Sequence, residues 1–386
     1  MTSGIAGFPT ADSQETTAVA DLWSKLRLTD MKIFCPVPLR IHPYGAAELD
    51  AHGTRWLRSQ GVPLPEASGQ GDTRLGHLFS AGMPYTTEDF LTRFICFNYW
   101  GILWDDHLDA LAPDLAAVTA HVGEASRIQY EPGGVPVPDD LRLRVLRAAL
   151  EVLRPGLSPE AWQMFCAAAL SWYQGQVWKY ALQHRSTPPG LGEWLRMRWA
   201  KLGTSILAAM TCPGAGQPAS SAMLAEPAVR AFTHATFLAP AMLNELGSLT
   251  KESPTGQSTN LVLLLARTHR VGVTEAALQV WELYERLVGL MLRLRTRLLA
   301  DPRPAVAHYA KALPHWLPAT LEWHLTSSRY RAAAPAAEPA PAPAAEPGPA
   351  PAPRLVLTDT PTLWDPDDHT PPPVPELAWM WRQTQP

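Results

Sequence analysis

The run Asn244-Glu-Leu-Gly-Ser-Leu-Thr-Lys-Glu252 constrains the fold more than any other stretch of this chain. Asn244, Ser248 and Glu252 fall at i, i+4 and i+8. On an α-helix that spacing lines three oxygen-bearing side chains along one face, a turn apart. Leu243, Leu246 and Leu249 occupy other positions of the same turns, which an ordinary polar helix end does not explain. A polar stripe on a largely apolar helix needs compensation once buried. A second set of oxygens on a facing helix, with hard cations between the two, would supply it.

The upstream cluster Asp105-Asp-His-Leu-Asp109 offers such a set, with its first and last carboxylates again at i, i+4. The strongly apolar run Phe94-Ile-Cys-Phe-Asn-Tyr-Trp-Gly-Ile-Leu-Trp104 precedes it. Carboxylates at the end of a buried helix are costly unless a cation compensates them. Oxygen-only ligands suit Mg²⁺, which usually keeps waters and substrate phosphates in its shell. A lone DDxxD is a weak signal, and its bland reading is a solvated helix end. The pairing of two such motifs carries the weight.

Composition narrows the class. A formal net charge of -4 gives no basic field for nucleic acid or anionic lipid. The N-terminus lacks a basic start and apolar stretch of secretory type, and no segment reaches membrane-spanning length, so a cytoplasmic protein is expected. Cys35, Cys96, Cys166 and Cys212 have no metal-ligand spacing and read as buried free thiols.

Helical patterns begin near residue 46 and run at 86–108, 140–154, 159–182, 191–210, 228–251, 274–299 and 306–330, separated by Pro- and Gly-rich turns. No β-alternation persists. Several segments are apolar nearly all round, as in an all-α, single multi-helix bundle. Residues 1–29 read as a flexible N-terminus and 30–331 as the folded domain. Residues 332–353 are almost pure Ala, Pro and Glu and read as an extended linker. Residues 354–386 carry Trp364, Trp379 and Trp381 among prolines. That tail is expected to be disordered, to fold over the pocket, or to dock a protein partner.

These motifs resemble those of the bacterial class I terpene synthases. Asn244, Ser248, Lys251 and Glu252 match the family's ND-x-x-S-x-x-K-E-like motif, with Glu245 in place of the usual Asp. Arg198 matches its diphosphate-sensing arginine, and Lys201, Leu202 and Gly203 cover the helix break that follows it. The segment from His315 to Arg329-Tyr330 looks like the family's final helix and its Arg-Tyr pair. Phe34-Cys-Pro-Val-Pro-Leu-Arg-Ile-His-Pro43 with His52 and Trp56 resembles its N-terminal signature. The likeness covers about residues 30–330 and implies the family's helical fold.

The resemblance implies metal-dependent ionisation of a prenyl diphosphate, farnesyl diphosphate being favoured, with closure of the carbocation to a terpene hydrocarbon or alcohol. It implies a three-Mg²⁺ cluster, where the residues alone support more than one ion. Asp105, Asp109, Asn244, Ser248 and Glu252 would hold the metals. Arg198, Lys251, Arg329 and Tyr330 would donate to phosphate oxygens. Phe94, Phe97, Asn98, Gly101, Ile102, Trp316 and Trp323 would line the hydrocarbon pocket, where aromatic faces stabilise cations. Many relatives carry bulky aromatics where Gly101 and Ile102 stand, which tilts the reading toward C15 or C20 substrates. A geranylgeranyl-using diterpene synthase, a prenyl elongase and a non-catalytic helical scaffold are the alternatives. The elongase lacks its second helical aspartate motif, since Asp365-Pro-Asp-Asp368 lies among prolines. A homodimer is the assembly to look for.

Overall fold

A computed structural model describes residues 32–63, 73–134, 136–252, 260–327 and 356–384; the side chains of 250–252 and 325 are not described. After strand β1 (Lys32–Phe34) come helices α1 (Ala46–Ser59), α2 (Leu75–Gly82), α3 (Glu88–Leu111), α4 (Leu115–Tyr130) and α5 (Leu141–Leu153). Next are α6 (Pro159–Gln183), α7 (Leu191–Lys201), α8 (Thr204–Thr211), α9 (Ser221–Ala225) and α10 (Pro227–Glu252). Helices α11 (Leu261–His269), α12 (Val273–Leu299), α13 (Pro304–Ala312) and α14 (Trp316–Thr326) complete the bundle, followed by β2 (Val356–Thr358) and α15 (Ala378–Trp381). The expected all-α architecture is present. Among the described residues no helix is long and apolar enough to cross a membrane.

Local chemistry explains the helix starts. The Thr87 hydroxyl accepts from the Phe90 amide at the head of α3, and Asp114, Asp140 and Ser158 cap α4, α5 and α6 in the same way. Two expected helices are broken. The 191–210 pattern divides at Gly203, whose φ of +67° is a left-handed conformation that glycine adopts freely. The 306–330 pattern divides at a 3₁₀ turn, Leu313–His315, because Pro314 cannot donate to a continuing helix. Helices α2, α4 and α11 were not anticipated. All four cysteines are buried and free, and burial pushes the thiols of Cys35, Cys96 and Cys212 up to about 12.

Helix α10 packs along α12 and α14, while α3 packs on α5 and α6 closes against α7 and α8. An aromatic cluster fills the space between α3 and α6. Trp100 and Trp104 stack at 5.3 Å between centroids, and Trp172 and Tyr173 meet Trp104 edge-on at 5.0 and 5.3 Å.

The tail corrects the sequence reading. Residues 356–384 are neither disordered nor over the cavity: β2 pairs in parallel with β1, and Trp364, Val374, Leu377, Met380 and Trp381 are buried. The fully buried Glu285 carboxylate of α12 is the anchor. It accepts from the Thr362 amide and hydroxyl at 2.7 and 2.8 Å and from the Leu363 and Trp364 amides at 2.7 and 2.9 Å. Trp364 then lies on Gly289, where a Cβ would meet the ring at 2.1 Å. Composition does not show this, because the apolar residues of the tail have no period; they fit a surface already made by α10 and α12.

Replacing Glu285 by alanine would leave buried amides without an acceptor. Glu285→Ala is expected to cost about 3 kcal/mol or more in urea unfolding. Truncation after Arg331 is expected to lower the melting temperature or solubility rather than leave the fold intact. A truncated chain as stable as the full one would show that the tail's packing carries no stability.

Candidate functional site

A cavity of about 300 Å³ opens between α2, α3, α6, α7, α8, α10 and α14. Its wall is divided by chemistry. Aromatic and aliphatic side chains form one part: Leu75, Leu78, Phe79, Phe97, Ile102, Trp172, Ile206, Phe237, Trp316 and Trp323 among them. Polar side chains gather elsewhere on the wall: Asp105, Gln176, Arg198, Lys201, Asn244 and His324, with Asn98, Thr204 and Thr320 nearby along the chain.

Asp105 and Asn244, 139 positions apart in the chain, line this one cavity from α3 and α10. Ser248 is half-buried one turn further along α10, and Asn260 donates to its hydroxyl at 3.4 Å. Glu252 closes α10, its side chain outside the described set together with that of Lys251; Arg329 and Tyr330 lie outside the described residues altogether. The donors that can be placed are oxygens only, and the Nε of Arg198 is buried without a hydrogen-bond partner among the described residues. Both facts fit a hard cation and an anion in the cavity.

Arg198 is 7% exposed and held from two sides. Its Nη2 donates to Glu245 Oε1 at 2.8 Å and to Asn244 Oδ1 at 2.6 Å. Glu245, also buried, accepts the Leu261 amide on its other oxygen at 3.0 Å. The departure from the usual Asp therefore has a structural role. The longer carboxylate spans from Arg198 to the start of α11.

The Asn244 amide is oriented in turn, with Nδ2 3.3 Å from His324 Nε2. Burial, then the Arg198 charge, pushes the His324 pKa down to about 3, so the ring is neutral and can accept that N–H. Lys201 also lines the cavity. Burial, then Lys179 and Arg198, pulls its ammonium down to about 8, against the pull of Asp105 and Glu245.

Phe97, Asn98, Gly101, Ile102, Trp316 and Trp323 lie in the wall of this cavity. A Cβ on Gly101 would sit 3.6 Å from Trp172, in ordinary contact, so the missing side chain leaves room. Two expectations are corrected. Phe94 is buried behind the wall, packed on Phe79 at 5.8 Å and Phe90 at 5.1 Å, because Phe79 of α2 screens it. Asp109 does not line the cavity. Lys179 Nζ and the Tyr180 hydroxyl hold its Oδ1 at 2.6 and 2.7 Å; burial raises its pKa, and these partners outweigh that and lower it. Asp106 is exposed, and His107 turns toward His121, 4.7 Å between ring centroids.

Sequence reasoning missed Phe79, Trp172, Gln176, Phe237, Thr204, Thr320 and His324. Trp172 and Gln176 carried a usable signal, at i, i+4 on an apolar helix. Pro240, four residues before Asn244 and also in the wall, carried another. His324 had none, since its partner is set by how α14 crosses α10.

A family model described as "Terpene synthase family 2, C-terminal metal binding" matches residues 96–289. The tsukubadiene synthase of Streptomyces tsukubensis is 25% identical over 354 residues, covering 90% of this chain and 97% of that protein. The bonnadiene synthase of Allokutzneria albata is 27% identical over 365 residues, with 90% and 96% covered. Among solved structures, SVS_A2 from ancestral sequence reconstruction superposes with a TM-score of 0.73 at 23% identity, covering 91% of this chain and 98% of that one. The germacradien-4-ol synthase of Streptomyces citricolor gives 0.66 at 19%, with 76% and 98% covered.

Removing the carboxylate beneath Arg198 would strand a buried charge. Glu245→Ala is expected to destabilise the chain by about 3 kcal/mol or more in denaturant unfolding. A change under about 0.5 kcal/mol, the ordinary size for a surface site, would mean that the pair is not formed in solution.

Proposed function

The chain belongs to terpene synthase family 2, and from that membership we propose that it ionises a prenyl diphosphate, farnesyl diphosphate by preference, in a Mg²⁺-dependent reaction. The carbocation then closes to a terpene hydrocarbon or alcohol, and diphosphate is released. It is a class I terpene synthase, and its relatives are named as synthases of individual terpenes. The observation that carries the finer reading is the shared cavity of Asp105 and Asn244, whose remaining wall is largely aromatic and aliphatic.

Mg²⁺ held by Asp105, Asn244, Ser248 and Glu252 would supply Lewis-acid stabilisation of the leaving diphosphate. Three ions are proposed on the resemblance to the family. Arg198, fixed by Glu245, would meet phosphate oxygens with its free Nε–H, in the manner of a preorganised donor. Lys251, Arg329 and Tyr330 are proposed as further donors. Beyond the polar end, Phe79, Phe97, Trp172, Phe237, Trp316 and Trp323 would face the cation and exclude water.

The cavity volume lies at the low end for ligand pockets, which favours a C15 chain. One relative is named as cyclising (2E,6E)-farnesyl diphosphate, another as a diterpene cyclase. The space beside Gly101 supports geranylgeranyl diphosphate as the second reading.

Incubation with C10, C15 and C20 diphosphates, with and without Mg²⁺, tests the proposal through diphosphate release and gas chromatography. Asp105→Ala and Asn244→Ala are each expected to lower turnover about a hundredfold or more while leaving the fold intact. Wild-type turnover in a chelator, or near-normal rates in both variants, would overturn it.

Gly101→Phe would push a ring toward Trp172 and shorten the cavity. Turnover of the longest accepted substrate is expected to fall by more than that of shorter ones. Equal loss for every chain length would assign Gly101 to helix packing instead.

A further inference from the structure

Arg198 and Lys201 are the cations in the cavity wall, and they are placed differently. Arg198 is committed to Glu245 and Asn244. Lys179, nearby on α6, is committed to Asp109 at 2.6 Å. The Lys201 ammonium makes neither a hydrogen bond nor an ion pair with any described residue, although its backbone carbonyl is held by Gln176 Nε2 at 3.4 Å. A lysine in the last turn of a helix is ordinarily a solvated cation favoured by the helix dipole. This one is half-buried in a cavity wall, where its charge is partly desolvated and no carboxylate among the described residues lies at ion-pair distance.

The break at Leu202 and Gly203 brings a second unpaired group to the same place. Thr204, the first residue of α8, lines the cavity and is 6% exposed, and its Oγ1 is buried with no partner among the described residues. An unpaired ammonium and an unpaired buried hydroxyl on either side of one break describe a receptor for an anion with several oxygens.

We infer that Lys201, with Thr204 beside it, binds the diphosphate of the substrate from the α7–α8 break, as an electrostatic contact additional to Arg198. The inference rests on the prenyl-diphosphate reading and assigns an anion contact to a side chain that the family resemblance placed only in the helix break. The ammonium would donate to a phosphate oxygen and the threonine hydroxyl to another, so the two groups lose their desolvation penalty only when substrate or product is bound.

Calorimetric titration of the full chain with inorganic diphosphate in Mg²⁺ tests it. Lys201→Met is expected to weaken binding about tenfold or more, the scale of a truncated buried charge contact. Lys201→Arg should retain most of the affinity, and Thr204→Val should lose about threefold, as for a neutral hydrogen bond. Unliganded Lys201→Met should melt at or above the wild-type temperature, because a partly desolvated charge with no ion-pair partner among the described residues has gone. Affinity of Lys201→Met within twofold of wild type would overturn the inference, as would an arginine variant as weak as the methionine one. A methionine variant that does not fold would overturn it too, since the ammonium would then serve the fold. A wild-type chain that releases diphosphate while Lys201→Met binds normally sinks Lys201 alone. A wild-type chain that neither binds nor releases diphosphate sinks the functional reading itself.

Discussion

The buried ion pair of Arg198 and Glu245 is the contact on which the chemistry of the cavity depends. It joins α7 to α10 and, through the second Glu245 oxygen, α10 to the start of α11. Two charges are removed from water together, so neither can move without exposing the other to a large desolvation cost. Arg198 is thereby held with one nitrogen on Asn244 and another left over in the cavity region. Asn244 is oriented in the same network, between Arg198 on its oxygen and the neutral His324 ring on its nitrogen. The Asn244 amide and the Arg198 guanidinium, both in the cavity wall, are thus positioned by one set of bonds.

The rest of the cavity follows from a separation of polar and apolar surface. Trp172, Trp316, Trp323 and Phe79 supply aromatic wall. The Trp323 indole N–H donates to the Thr73 carbonyl at 2.6 Å. Spending the polar atom on the backbone leaves the ring as an apolar wall. Such a wall would suit the proposed carbocation, which water would quench, and the polar side chains would meet the charge of the proposed leaving group. The proline at position 240 and the glycine at 203 interrupt the regular helical ladder beside that end.

The tail belongs to the body of the protein. Glu285 gathers the Thr362–Trp364 backbone, Trp364 fills the notch at Gly289, and Arg286 pairs with Asp368 at 2.8 Å. Of the aspartates that could be mistaken for a second metal motif, Asp368 is engaged by Arg286 of α12, Asp365 and Asp367 are exposed, and none lines the cavity. This clamp backs the long helix against which α10 packs, which ties the far end of the chain to the helix that carries Asn244.

The sequence by itself determined what repeats along one helix. The stripe of Asn244, Ser248 and Glu252 and the shared face of Trp316 and Trp323 are local, because a helical period is set within a few residues. It also placed Asp105 and Arg198 in the site through motifs whose spacing resembles a family's. Tertiary structure decided what each side chain meets across helices. Asp109 matched the metal motif in sequence, yet Lys179 and Tyr180, some 70 residues downstream, claim its carboxylate. Phe94 shared the pocket face of α3, yet Phe79 of a separate helix covers it. The tail had no periodic face to read, and its order comes from a surface built by α10 and α12. His324 and Thr204 carry no pattern at all, because burial and side-chain partners are set by crossing helices rather than by neighbouring residues.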